Sequence, residues 1–201
     1  MQKLMIASGN PGKQHELRAL LDIPGLTLLD PSSLEGNLQI SEKGEDYASN
    51  AKLKASAYAR ASGMWALADD SGLEVDVLEG APGPRSARLG APHLSDAGRR
   101  QILLQMLHPH PRPWRARFRS VVALASLDGM IDLAEGICSG EIIAEERGTG
   151  GFGYDPIFLI SGTDRTMAEL SMAEKNQLSH RARAIEALMP ILKRRLGLER
   201  K

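Results

Sequence analysis

The chain has 201 residues, enough for one large domain or two smaller lobes with a sizeable core. Its 25 basic and 25 acidic side chains balance, so no overall field favours nucleic acid or a membrane surface as a partner. The single Cys138 excludes an internal disulfide framework, and we find no leader sequence and no long apolar segment. We therefore expect a cytoplasmic protein with no nucleic-acid and no membrane partner.

A short apolar strand is predicted over residues 3–7, followed by a glycine turn and a helix over 14–21. A strand, a glycine turn and a helix start together present backbone N–H groups to an anion, and Lys13 adds a positive charge for phosphate. The glycine spacing differs from that of a P-loop, so an ordinary tight turn with a solvated lysine is the alternative. The turn has the sequence Ser8-Gly9-Asn10-Pro11-Gly12-Lys13.

A second strand is predicted over residues 26–29, and a long helix over 45–62 ends at Gly63. One face of this helix is rich in alanine, which predicts close packing on a sheet. Asn50 and Lys54 lie four residues apart and share a helix face. Without further evidence, we expect both side chains to be exposed to solvent.

The most informative stretch is the apolar run 65–68 with the polar residues Asp69, Asp70, Ser71 and Gly72 that follow it. We predict a buried strand that ends at the carboxylates, a place where ligands commonly dock in α/β sheets. Because strand side chains alternate, only one aspartate can face a given site, and the other has a different role or a partner below the sheet. This favours a single-carboxylate metal or base site, and a hairpin turn is the alternative.

The middle of the chain predicts an irregular loop, a helix and a hairpin. The loop over residues 80–88 is rich in proline and glycine and is a candidate functional loop. Ser95 is the predicted N-cap of an amphipathic helix. Two β-rich runs over 115–127 and 130–146 are joined by Asp128-Gly129, a strong hairpin signal.

Three arginines alternate along one face of the first of these β-rich runs: Arg115, Arg117 and Arg119. With a tryptophan nearby, they are compatible with a nucleic-acid-binding stripe. Because the rest of the sequence is not basic, we favour a solvated or subunit-facing strand face.

Four glycines surround two aromatic side chains between Gly148 and Tyr154. Such a backbone can approach a ligand closely, and Phe152 can stack on a flat base. A structural turn in which Phe152 fills the core is the alternative.

A capping box at Ser171 and Glu174 opens the last helical region. Three side chains near this box are suited to bind an anion or a carbonyl oxygen: Lys175, His180 and Arg181.

In their order and spacing, the motifs described above resemble those of the inosine triphosphate pyrophosphatase family, whose members hydrolyse deaminated purine nucleoside triphosphates. The resemblance runs from residue 3 to about residue 196, and Ser8 stands where the family usually has threonine. The matching motifs are Ser8-Gly9-Asn10-Pro11-Gly12-Lys13, Asn50-Ala51 with Lys54-Ala55, Ala68-Asp69-Asp70-Ser71-Gly72-Leu73, Gly80-Ala81-Pro82-Gly83, Ser86-Ala87-Arg88, residues 148–158, Ala168-Glu169-Leu170, Glu174-Lys175-Asn176 and Ser179-His180-Arg181.

The resemblance implies cleavage of a nucleoside triphosphate to the monophosphate and pyrophosphate with Mg²⁺. It implies that Asp70 is the catalytic carboxylate and that Glu42 and Asp70 bind the metal, a sparse ligand set that suits Mg²⁺. The residues implied to bind substrate are Ser8, Gly9, Asn10, Pro11, Gly12, Lys13, Lys54, Ser71, Phe152, Gly153, Tyr154, Asp155, Lys175, His180 and Arg181.

Among these, the lysines with Ser8 and Asn10 are implied to bind the triphosphate, and Phe152 to stack on the base. His180 and Arg181 are implied to meet the 6-keto edge. A donor at that edge is satisfied by hypoxanthine or xanthine, whereas the amino group of adenine leaves it unpaired.

The implied fold is α/β: one domain over residues 1–201 with a long mixed central β-sheet flanked by helices, and an active-site cleft between two lobes. A homodimer is implied as well. The alternatives are a pyrophosphatase for other modified triphosphates, and a non-catalytic nucleotide- or RNA-binding module that uses the arginine strand. The carboxylates Glu42 and Asp70 argue against the module, because they repel phosphate unless a cation intervenes.

Overall fold

The computed structural model describes residues 1–34, 38, 40, 46–91 and 93–199. Strands and helices alternate along most of this part of the chain. They are β1 (Gln2–Ile6), α1 (Pro11–Leu20), β2 (Leu26–Leu29), α2 (Tyr47–Ser62), β3 (Ala66–Val75), α3 (Asp96–Leu107), β4 (Trp114–Ala125), β5 (Ile131–Ile142), β6 (Phe158–Ile160), α4 (Met172–Leu178) and α5 (His180–Arg195).

The strands form one mixed sheet in the order β2-β1-β3-β4-β5-β6. Strand β1 runs parallel to both β2 and β3, whereas β6 is antiparallel to β5. The predicted α/β class with a mixed central sheet is confirmed. No helix among the described residues is both long and apolar enough to span a bilayer.

The chain divides into two compact units. The first unit comprises Met1–Asp70, Ser120–Gly136 and Arg181–Lys201, and the second comprises Ser71–Arg119 and Ile137–His180. The second unit has its own apolar core, which includes Leu73, Phe118 and Phe158.

In the first unit, alternate residues of β3 belong to two separate apolar clusters. Leu67 of β3 packs with leucines of α1 and α5. Its neighbours Ala66 and Ala68 pack instead with Ala51, Ala55 and Ala59 of α2. The alanine-rich face of α2 therefore packs against the sheet, as predicted, and β3 has one face toward α1 and α5 and the other toward α2.

Strand β3 continues well past the two aspartates, so the predicted strand end and the alternative hairpin turn are both wrong. The strand runs to Val75, and Leu73 and Val75 are fully buried. Gly72 permits this path, because a Cβ placed there would lie 2.1 Å from the carbonyl oxygen of Gly83. Gly72, which indicated a turn, instead allows the loop over residues 80–88, called the crossing loop below, to pass close to the strand.

The residues predicted to begin or end helices, and the predicted hairpin turn, are confirmed. Gly63 ends α2 in the left-handed conformation, with φ of 69°. Ser95 caps α3 by accepting from the N–H of Gly98 at 3.2 Å, and Ser171 with Glu174 forms the capping box of α4. At the predicted hairpin, Gly129 has φ of 93°.

Candidate active site

The two neighbouring aspartates of β3 project from opposite faces of the strand within the first unit. Asp69 lies on the same face as Leu67, toward α1 and α5, and Asp70 lies on the same face as Ala68, toward α2. Their different surroundings follow from this alternation.

Asp69 lies at the centre of a buried ionic network. Its Oδ2 accepts from Arg181 through Nε at 3.2 Å and Nη2 at 2.9 Å, and lies 2.9 Å from Nζ of Lys13. Ser120 donates its hydroxyl to the other carboxylate oxygen, and Arg181 also donates to Glu16 of α1. The network contains two cations and two carboxylates, so its buried charges are balanced.

The balance of charges keeps Asp69 ionised. Burial alone would raise the pKa of Asp69, but the positive charges of Arg181 and Lys13 outweigh burial and hold it well below its ordinary value. Burial likewise opposes the charge of Arg181, and the carboxylates of Asp69 and Glu16 raise the pKa of the guanidinium above its ordinary value.

Asp70 has fewer partners than Asp69. Nζ of Lys54 lies 2.8 Å from Oδ1 of Asp70, and Nδ2 of Asn50 donates to Oδ2 at 3.1 Å. Burial raises the pKa of Asp70 above its ordinary value, and the nearby ammonium of Lys54 only partly offsets it. A carboxylate with a raised pKa is suited to accept a proton near neutral pH.

Two lysines of the predicted triphosphate clamp converge on one backbone oxygen. The carbonyl oxygen of Asp69 accepts from Nζ of Lys54 at 3.0 Å and from Nζ of Lys13 at 3.3 Å. Burial lowers the pKa of Lys13, and the attraction of Asp69 opposes this. The first unit thus places two ammonium groups beside the pair of aspartates, where each lysine is paired with a carboxylate.

The donor set beside Asp70 fits an oxygen-seeking cation. The amide of Asn50 is oriented by its donation to Asp70, and its Oδ1 is buried with no hydrogen-bond partner among the described residues. A buried acceptor of this kind needs a cation or water. Glu42, the second predicted metal ligand, lies outside the described residues, and those residues contain no cluster of three His, Cys, Asp or Glu side chains.

The glycine turn is ordered by its own hydrogen bonds. Asn10 caps α1 by accepting from the N–H of Lys13 at 3.1 Å, and Oγ of Ser8 accepts from the N–H of Asn10 at 3.2 Å. Pro11 occupies the first helical position, where its missing N–H costs nothing. Helix α1 therefore begins at Pro11, three residues earlier than predicted, while Gly9 and Asn10 remain exposed.

In the second unit, a buried ion pair lies next to Phe152. Oδ2 of Asp155 accepts from the backbone N–H of Phe152 at 2.9 Å and from Nζ of Lys175 at 2.7 Å. Nζ of Lys175 lies 5.2 Å from the centroid of the Phe152 ring, within the range of a cation–π contact. The ring of Phe152 is half-buried, whereas Tyr154 packs in the core of the unit.

Ser86 joins the crossing loop both to β3 and to the glycine-rich stretch. Its Oγ accepts from the N–H of Leu73 at 2.8 Å and donates to the carbonyl of Gly83 at 2.6 Å. Its own carbonyl oxygen accepts from the hydroxyl of Tyr154 at 2.8 Å. Burial raises the pKa of Tyr154 above its ordinary value, so this hydroxyl stays protonated.

His180 and Arg181 are neighbours in sequence, but they belong to different units. The buried ring of His180 stacks on Phe118 of the second unit, with centroids 4.8 Å apart. Arg181 belongs to the first unit, where its guanidinium bonds Asp69 and Glu16. Ser71 lies half-buried in β3.

Comparison with known proteins identifies the family of this chain. The model of the Ham1 family matches residues 4–191. The chain belongs to the Ham1 family. A relative named dITP/XTP pyrophosphatase from Desulforamulus reducens is 45% identical over 193 residues, covering 96% of each chain. Another with the same name from a Nostoc species is 47% identical and covers 93% of this chain and 92% of its own.

Solved structures show the same Ham1 fold. The HAM1 protein from Coxiella burnetii has a TM-score of 0.86 at 37% identity and covers 96% of this chain and all of its own. A nucleoside-triphosphatase/dITP/XTP pyrophosphatase from Mycobacterium abscessus has a TM-score of 0.75 at 39% identity, with 94% of this chain covered. The family resemblance found in the motifs is confirmed.

Three polar partners in this Ham1 chain escaped the sequence analysis. The expected exposure of Asn50 and Lys54 is wrong, because Asn50 is buried against Asp70 and the side chain of Lys54 is only 12% exposed. Glu16 and Ser120 received no role, although both bond the Asp69 network. The available signal for Glu16 was its position next to Leu17 on the apolar side of α1, an unusual place for a carboxylate without a cation.

Proposed function

We propose that this chain hydrolyses the deaminated purine triphosphates dITP, ITP and XTP to the nucleoside monophosphate and pyrophosphate, and so removes them from the nucleotide pool. The observation that carries the proposal is Asp70, a nearly buried carboxylate of raised pKa beside Lys54 and Asn50. Relatives named dITP/XTP pyrophosphatase, at 45% and 47% identity, support the same activity.

In this proposal, residues of the first unit bind the triphosphate. Lys13 and Lys54 are partly withdrawn from solvent, so their charges act on phosphate oxygens with little screening. Ser8 and Asn10, with the backbone N–H groups of Gly9 and Gly12, bind phosphate at the start of α1, where Pro11 fixes the path of the turn. Lys175 of the second unit is also assigned to the triphosphate, and Ser71 to the substrate.

The metal in this proposal is Mg²⁺, held by Asp70 and Glu42, with Oδ1 of Asn50 as an additional oxygen that fits it. When bound, Mg²⁺ neutralises phosphate oxygens and lowers the pKa of bound water. Asp70 accepts a proton from the attacking water, and Lys54 holds the Asp70 carboxylate in a fixed orientation.

Residues of the second unit are assigned to the base. The half-buried ring of Phe152 stacks on the purine, while Gly153, Tyr154 and Asp155 shape the surrounding backbone. His180 supplies the donor for the 6-keto oxygen, and Arg181 of the first unit, whose guanidinium bonds Asp69 and Glu16, is assigned to the same edge. Adenine leaves that donor unpaired, which is the basis of its rejection.

Product analysis tests the proposal. The protein is incubated with Mg²⁺ and dITP, XTP, GTP, ATP or dUTP, and phosphorus NMR identifies the products. We expect pyrophosphate and monophosphate from dITP and XTP, with little product from the others. Orthophosphate and a diphosphate would overturn the bond assignment. Turnover of dUTP alone would favour another modified triphosphate as substrate, and no turnover of any nucleotide would favour a binding module.

We further propose a cytoplasmic homodimer whose subunit forms one domain over residues 1–201. The family resemblance supports the homodimer and the single domain, and the single Cys138 suits a reducing compartment such as the cytoplasm. Sedimentation equilibrium and a denaturant titration test them: a dimer mass and one cooperative unfolding transition are expected. A monomer mass, or two separate transitions, would contradict the corresponding statement.

A further inference from the structure

Both polar groups of the Gly153 backbone bond to side chains of a single helix. The N–H of Gly153 donates to Oδ2 of Asp96 at 2.8 Å, and its carbonyl oxygen accepts from Nη1 of Arg100 at 2.8 Å. Asp96 and Arg100 lie four residues apart in α3, so they share one face of the helix. The peptide groups on both sides of Gly153 are thus attached to α3.

The two side chains are themselves held in place. Nε and Nη2 of Arg100 each donate to Glu146 at 2.8 Å, a bidentate pair that fixes the plane of the guanidinium. Nη1 of Arg99 donates to Oδ1 of Asp96 at 2.9 Å and orients the carboxylate. Charged groups with fixed directions can define the position of a flexible backbone.

Gly153 is the point at which the chain turns away from Phe152. It has φ of 62°, in the left-handed region that glycine enters without a steric penalty. Next to it, the N–H of Phe152 bonds Asp155 and the hydroxyl of Tyr154 bonds Ser86. The path of the backbone through Gly153, together with the bond from Phe152 to Asp155, therefore sets the direction from which the ring of Phe152 projects.

We propose that Asp96 and Arg100 are positioning residues that hold the Phe152 ring in the orientation needed to stack on the purine base. The inference rests on the proposed function, because it takes the base to lie on Phe152. Neither side chain contacts the nucleotide; both act through the backbone of Gly153. A loop fixed in advance loses less conformational freedom when the base binds, and this strengthens binding of the base.

The test separates recognition of the base from recognition of the phosphates. Arg100→Met keeps the aliphatic stem and removes the three donors. We expect the KM for dITP and the inhibition constant of dIMP to rise roughly tenfold, as for one lost charged hydrogen bond, with kcat within about twofold of wild type. Inhibition by inorganic tripolyphosphate should not change, because that ligand has no base.

Three further variants exclude a general structural effect. Arg195→Met breaks a matched bidentate pair with Asp132 in the first unit, at 2.9 and 3.2 Å, and should behave as wild type. Asp96→Ala removes the second bond to Gly153 and should reproduce the KM effect, and it replaces Arg100→Met if that protein does not fold. Asp96→Asn, which retains an acceptor, should restore the KM of wild type.

A double mutant tests whether the effect passes through the ring. In a Phe152→Leu background, Arg100→Met should change KM no further, because there is no ring left to position. Three results would overturn the inference while leaving the proposed function intact. They are additive effects of the two substitutions on KM, an equal loss of tripolyphosphate inhibition in Arg100→Met, and an unchanged KM in Arg100→Met. A wild-type protein that leaves dITP and XTP uncleaved would overturn the proposed function, and the inference with it.

Discussion

Asp69 and Asp70 are consecutive carboxylates on one strand, yet their surroundings shift their pKa values in opposite directions. Asp69 faces α1 and α5, where Lys13 and Arg181 hold its pKa well below the ordinary value. Asp70 faces α2, where burial raises its pKa despite Lys54. The face of the strand, and the helix packed on it, sets the chemistry of each carboxylate.

This difference assigns the two aspartates to different tasks. A buried carboxylate with two cationic partners and a hydroxyl donor is held ionised and organises the network that links α1, β3 and α5. A carboxylate with one lysine and one amide retains lone pairs for a cation or a proton. We therefore propose that Asp69 is a structural ion and that Asp70 is the group that takes part in the reaction.

The largest expected effect is on turnover. Asp70→Asn removes the proposed proton acceptor and metal ligand, so kcat for dITP should fall at least about a thousandfold. Circular dichroism should show an unchanged fold, because the shape of the side chain is kept. Asp132→Asn, at a surface ion pair with Arg195, provides the control and should leave kcat unchanged. Retained turnover in Asp70→Asn would remove Asp70 from its role.

The complementary change should act on stability first. Asp69→Asn leaves Arg181 and Lys13 without their shared counter-ion inside the protein, which we expect to cost about 3–5 kcal/mol of unfolding free energy. Urea titration measures this loss against Asp132→Asn, for which an exposed pair predicts less than about 1 kcal/mol. Equal losses in the two variants would show that the buried network contributes no more than a surface pair.

Phe152→Ala tests the second unit with a smaller effect. Loss of ring stacking on the base should raise the KM for dITP roughly tenfold with little change in kcat. Steady-state kinetics measure both constants, and Phe158→Leu in the core serves as a variant expected to lower stability instead. An unchanged KM in Phe152→Ala would favour the core-filling alternative for this ring.

Stability below neutral pH should also distinguish the aspartates. Because the folded pKa of Asp69 lies below its unfolded value near 3.8, its contribution is complete above that value and is lost as pH falls toward the folded pKa. Unfolding free energies in urea between about pH 5 and pH 3 should thus fall less in Asp69→Asn than in wild type, by about 1–2 kcal/mol. A parallel fall in both proteins would contradict the assigned shift.

Local sequence signals predicted most elements of the fold but not the contacts that separate the two aspartates. Asn10, Gly63 and Ser171 act on neighbouring residues, so their roles can be inferred from a few positions. One partner of Asp69, in contrast, is Arg181, which lies 112 residues later in the chain. Only the packing of α5 on β3 brings these side chains together.

The continuation of β3 had the same cause. The sequence Asp69-Asp70-Ser71-Gly72 consists of residues that are typical of turns, so local composition predicts a turn here. The strand continues because Leu73 and Val75 enter the core of the second unit and Gly72 admits the crossing loop. Tertiary packing therefore overrides the local preference at the residues that carry the chemistry.

The central claim is that neighbouring aspartates of one strand have opposite pKa shifts, and carboxyl ¹³C NMR titration of the metal-free protein measures this directly. We expect the carboxyl group of Asp70 to titrate with a pKa above the ordinary value of 3.8. The carboxyl group of Asp69 should remain ionised at pH values well below 3.8. The spectra of Asp69→Asn and Asp70→Asn assign the two signals. Asp69 titrating above Asp70, or both titrating together near the ordinary value, would contradict the account.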